Sequence, residues 1–136
     1  MHITTRVLTA ICVAAVISTA CAQFGGEPFF AVGGVYIDGR MSAGERSFRP
    51  MLKRRNAPAA FESMVHSSSS VRQLYGLLGL HHTDRTAFER ELPAFLHRRD
   101  LVHTMSGCIG LEEEVGHVAK RIASGMYDPV IARPPW

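Results

Sequence analysis

Apolar residues recur at helical spacing through the second half of the chain. Val71, Leu74, Tyr75 and Leu78 form the stripe of an amphipathic helix over residues 71–81. Gly76 and Gly79 interrupt it, and each interior glycine costs about 1 kcal/mol relative to alanine, so this helix is expected to form only against a partner surface. The four serines at 67–70 read as a loop, with Ser70 placed to cap the 71–81 helix. A second helical stretch is expected over 86–105. Thr86 and Glu89 have the spacing of a capping box, and Phe88, Leu92, Phe95 and Leu96 supply an apolar face. Pro93 predicts a short turn ending at Leu92 and then a kinked continuation, closed by Ser106-Gly107 and Gly110. The third helix is expected over 111–124, where Leu111, Val115, Val118 and Ile122 line up. Glu112, Glu113 and Glu114 at its start and Lys120 and Arg121 at its end complement the helix dipole, and Gly125 supplies a stop. Residues 127–136 read as an extended tail.

The pattern changes ahead of residue 56. Residues 23–39 carry five glycines, among them Gly33, Gly34 and Gly39, and their composition is poor at building a core. One local signal stands out there: Phe29-Phe30-Ala31-Val32 and Val35-Tyr36-Ile37-Asp38 flank Gly33-Gly34, which predicts a β-hairpin over 29–38. Two strands alone are marginal in water, so that hairpin needs a neighbour. Residues 40–55 hold Arg40, Arg46, Arg49, Lys53, Arg54 and Arg55 against the single Glu45, the charge pattern of an exposed linker. The expected fold is therefore mainly α. Three loosely packed helices lie in 56–136, after a flexible glycine-rich and then basic leader over 23–55, with much of the chain disordered.

Residues 1–22 change the picture of where the chain goes. Arg6 precedes an apolar run, and Ala20, Cys21 and Ala22 form a small-residue cleavage site, the layout of a secretory signal peptide cut after Ala22. The run falls short of the roughly 20 apolar residues that span a bilayer, so no stable membrane span is expected. A lipoprotein reading would use Cys21, but Ser18 stands where such sites have a branched apolar residue. Cleavage removes Cys12 and Cys21 and leaves Cys108 as the single thiol, which excludes an internal disulfide and makes a homodimer through Cys108 the covalent option. With 136 residues, 46% hydrophobic and 20% charged, the chain holds one small folded unit at most, and a formal charge of +3 is too mild to imply nucleic-acid binding.

Candidate chemistry is sparse. His81-His82 with Asp84, or Asp100 with His103, offer nitrogen and oxygen donors, yet the chain has neither a His-Glu-X-X-His pattern nor a Cys-X-X-Cys pair, so no metal or other cofactor is expected. Cys108 with His103 or His117 could be imagined as a nucleophilic pair, but nothing in the pattern requires it, and no glycine elbow surrounds the serine run. An enzyme is not expected. Basic clusters are more informative: Lys53-Arg54-Arg55, Arg98-Arg99 and Lys120-Arg121. The first lies at the leader boundary between Pro50 and Pro58, where the backbone is expected to be extended and accessible.

Signal, short flexible segment, basic site and longer region together resemble a secreted prepropeptide, the class of neuropeptide and peptide-hormone precursors. The resemblance implies cutting by processing proteases, mainly at Lys53-Arg54-Arg55 and also at the other two pairs. It further implies Gln23 as a new N-terminus able to cyclise, and Gly39 before Arg40 as an amidation donor. The products would bind a cell-surface receptor, with Val71, Leu74, Tyr75 and Leu78 as the contact face. The alternative is an unprocessed small secreted or periplasmic helical binding protein, dimerised through Cys108.

Overall fold

A computed structural model describes residues 29–134. The signal-peptide reading, with Ala22 and Gln23, lies outside the described residues. Within them the chain runs β1 (Gly34–Val35), β2 (Arg40–Met41), α1 (Ala43–Met51), α2 (Ala57–Val65), α3 (Ser70–Thr83), α4 (Arg85–Glu91), α5 (Pro93–Leu96), β3 (Leu101–Ser106), β4 (Ile109–Glu114), α6 (Val115–Ala123) and α7 (Asp128–Ile131). The protein is mainly α, with seven helices and two small antiparallel sheets among the described residues; six of the helices lie past residue 56, where three were expected.

The centre of the fold is α3. Every residue from Leu74 to Leu80 is buried, so the helix is enclosed on all sides rather than half-solvated. Ser69, not Ser70, caps it by accepting from the Arg72 amide. Its two glycines are where α2 comes closest. A methyl group at Gly76 would stand 2.7 Å from the Val65 amide nitrogen and 2.8 Å from the Phe61 carbonyl, and one at Gly79 would overlap the Phe61 ring. The helical propensity lost at these positions is thus exchanged for close α2–α3 packing. Leu74, Tyr75 and Leu78, expected to meet a receptor, face the interior; only Val71 of that set is partly exposed.

The second expected helix divides. Asp84 starts α4 by accepting from the Ala87 amide at 3.0 Å, two residues ahead of the expected Thr86 box. Leu92 keeps helical angles in spite of Pro93, which opens α5 from its first turn, where its missing N–H costs nothing. Past His97 the pattern changes to period two. Val102 and Thr104 are buried while Leu101 and His103 are exposed, and β3 pairs with β4 from Leu101↔Glu114 to Ser106↔Ile109. Gly107, at φ +55°, and Cys108 form the two-residue turn, so Gly107 reverses a hairpin where a helix end was expected. Glu112, Glu113 and Glu114 are accordingly strand residues, and α6 begins only at Val115. Gly125 does end it, but the next residues form α7 rather than an extended tail.

The leader is part of the structure. Phe30, Phe48 and Met51 join the same buried cluster as α2, α3, α4 and α6. The expected 29–38 hairpin is replaced by one long-range pairing and one local hairpin shifted along the chain. The Phe30 amide donates to His103 O at 2.8 Å and its carbonyl accepts from Met105 N at 3.1 Å, while β1 pairs with β2 across a turn at 36–39 that contains Gly39. Strand β3 offers the apolar run an edge inside the core, a better partner than its solvated neighbour across Gly33-Gly34. The expected linker over 40–55 is mostly α1.

Candidate functional site

The sequence Ser42-Ala43-Gly44-Glu45 builds the start of α1. Ser42 accepts from the Glu45 amide at 3.0 Å, while the Glu45 carboxylate turns inward, 1% exposed. One of its oxygens accepts from the Gly33 amide at 2.8 Å, and the other from Arg49 Nε at 2.8 Å. Arg49 then spends its remaining donors on backbone carbonyls of the C-terminal segment: Val130 at 2.9 Å, Ile131 at 3.2 Å and Arg133 at 3.0 Å. A buried carboxylate thus fixes a guanidinium, and the guanidinium fixes the end of the chain against α1. Beside it, Tyr75 Oη donates to the Ala31 carbonyl at 2.7 Å, tying the leader to α3.

This arrangement leaves a groove of about 770 Å³ between α1 and the C-terminal segment. Met41, Pro50 and Leu52 form one wall and Ile131, Ala132 and Pro134 the other. The charged lining is basic among the described residues: Arg49 in the wall, and Arg46, Lys53 and Arg133 exposed at the mouth. Among the described residues none of these three exposed cations forms an ion pair with a carboxylate; Arg46 donates to the Met41 carbonyl at 3.2 Å. Size and lining suit a small amphiphilic ligand. Arg54 and Arg55 extend the same charge along the exposed turn between α1 and α2.

A second polar cluster lies across the hairpin. Arg121 makes a two-pronged bond to Glu113, at 2.6 and 2.8 Å, and Thr104 donates to the same carboxylate. The Arg121 bonds hold the Glu113 carboxyl down at about 2, against partial burial that opposes them. Burial raises the Tyr127 hydroxyl, while Arg121 Nε, 3.2 Å away, opposes the rise. A smaller pocket of about 220 Å³ opens over this cluster.

The expected chemical residues disperse. Asp84 is used as a cap, and His81 and His82 instead approach Asp128 at 3.2 and 3.3 Å. Partial burial lowers the His82 pKa against the attraction of Asp128. Asp100 is held by Arg98 and Ser70 rather than by His103, and the Arg98 bond lowers its pKa. Glu62, His66 and Glu91 bring ligand atoms within 4.8 Å of one another, a juxtaposition the sequence pattern does not show, but His66 is mostly exposed and Glu62 is occupied by Arg90 at 2.6 Å. Cys108 is exposed at the hairpin turn, and among the described residues no hydrogen bond joins it to a histidine.

Of the basic clusters, Lys53, Arg54 and Arg55 are exposed in a turn. Arg98 and Arg99 fall in the connection between α5 and β3, outside any helix; Arg98 is bonded to Gln73 and Asp100. Lys120 is exposed on α6 and Arg121 is bound to Glu113. Glu45, which positions the wall of the groove, is the residue that sequence reasoning passes over. Along the chain it is a lone negative charge, although Ser42 three positions before it and Arg49 four after it are the spacings of a capping box and of a helical ion pair. No described helix is long and apolar enough to cross a membrane. Comparison with protein-family models, with curated proteins and with solved structures finds no match to this chain.

Proposed function

We propose that the chain is an exported, unprocessed binding protein without catalytic activity, which takes its ligand in the groove between α1 and the C-terminal segment. The observation that carries this reading is the role of residues 29–52. They supply Phe30, Phe48 and Met51 to the core and Glu45 to the clamp, so a cut at Lys53-Arg54-Arg55 would remove structural parts rather than free a leader. Cys108, exposed at the hairpin turn, is the residue through which two copies would be joined.

Intact-mass measurement of the exported material tests this. One product running from residue 23 to 136 is expected, doubled in mass without reductant if Cys108 pairs. A released 23–52 peptide would overturn it in favour of the precursor reading. That second reading has its own support: the Lys53-Arg54-Arg55 turn is exposed, the accessibility a processing protease needs.

A further inference from the structure

We infer that the α1 groove binds a single-chain anionic amphiphile of the fatty-acid class, its tail between the apolar walls and its carboxylate among Arg46, Lys53 and Arg133. This rests on the binding reading above and names the ligand. Three features carry it. The groove's volume of about 770 Å³ lies in the range of small-ligand sites. Among the described residues its lining contains cations and no carboxylate; Glu45, the nearest acid in sequence, is buried and already bonded to Gly33 and Arg49. The mouth cations are exposed and form no ion pair with a carboxylate among the described residues; Arg46 and Arg133 are guanidinium groups whose forked donors match the two oxygens of a carboxylate, and Arg46 gives one donor to the Met41 carbonyl. Apolar walls that end in exposed positive charge fit a ligand with an apolar tail and an anionic head.

The clamp makes the site rigid on one side. Arg49 cannot serve as the head-group ligand, because its donors hold the Glu45 carboxylate and three carbonyls. It shapes the wall instead, which separates the positioning residue from the exposed residues that select charge.

Calorimetric titration of the purified chain with monomeric laurate, below its micelle concentration, is the test. Saturable binding of one laurate per chain is expected, rising roughly two- to fourfold per methylene from octanoate upward. Dodecyltrimethylammonium should bind at least tenfold more weakly. The triple variant Arg46→Glu, Lys53→Glu, Arg133→Glu should lose at least tenfold in laurate affinity with an unchanged melting temperature, and Arg90→Gln on α4 should bind like the parent. Equal binding of cationic and anionic amphiphiles, no dependence on chain length, or full affinity in the triple variant would each overturn the inference. So would binding confined to vesicles containing anionic phospholipid, which would reassign the patch to a membrane surface. An intact exported chain that binds no amphiphile refutes this ligand alone, whereas a chain recovered only as fragments refutes the reading beneath it.

Discussion

The α2–α3 interface and the junction of α1 with the C-terminal segment hold the same small protein together by opposite means. At the first, Phe61 lies against Gly76 and Gly79, and the contact is apolar and closely packed. At the second, one carboxylate and one guanidinium gather three separate pieces of backbone, and a groove remains open beside them. Close apolar packing leaves no room for a ligand. A polar clamp fixes geometry at a few atoms and leaves space between them, which is why the candidate site sits there.

Cutting into the apolar side should have the largest effect. Phe61→Ala removes a fully buried ring that also packs on Phe48, and is expected to cost about 3–5 kcal/mol in urea unfolding. Breaking the polar side comes next. Glu45→Ala leaves Arg49 without its buried counter-charge and should cost about 3 kcal/mol. Its distinguishing mark is local: amide exchange should accelerate first in the segment around residues 130–133, before global unfolding. If protection there is unchanged, Arg49 does not depend on Glu45 for its hold. Gly79→Ala sharpens the contrast, with an expected loss of about 1–3 kcal/mol from overpacking against Phe61 and no change in laurate binding once the protein is folded.

The partly buried pair Glu113–Arg121 should matter less, and its pH dependence has a definite sign. Its carboxyl sits at about 2 when folded, below the 4.5 of an ordinary glutamate, so the stabilisation is complete above about pH 4.5 and is lost as pH falls toward 2. Arg121→Gln should cost about 1–2 kcal/mol near neutrality, after allowance for solvent screening, and should flatten that acid limb of the stability curve. An unaltered limb would mean that other carboxylates govern it. The smallest effect is expected in the basic turn, where Arg55→Ala should change stability by less than about 0.5 kcal/mol because the side chain is exposed.

Much of the helical half is legible in the residues. The stripe of 71–81 does mark a helix, Gly125 does end one, and Lys120 with Arg121 do occupy the last turn of α6. The departures have specific causes. Val102 and Thr104 alternate with exposed neighbours at period two, but the apolar positions before them suggest a helix running on, which conceals the β3–β4 hairpin. The glycines of α3 look like weakness along the chain because the ring that fills their space comes from Phe61, in another helix. The candidate groove is hidden for a similar reason, since its walls come from residues far apart in the chain, Met41 to Lys53 on one side and Ile131 to Pro134 on the other.

Local chemistry by itself determined the mainly helical character, the helix stop at Gly125 and the excess of positive charge over residues 40–55, because propensities, backbone freedom and charge act between near neighbours in the chain. Tertiary structure alone decided that the leader from residue 29 onward enters the core, that Glu45 and Arg49 clamp both ends of the described chain, and that a groove lies between α1 and the C-terminal segment. Those outcomes depend on which distant backbone groups and side chains offer a partner inside a shared core, and burial makes an unpartnered polar group costly enough to select among them.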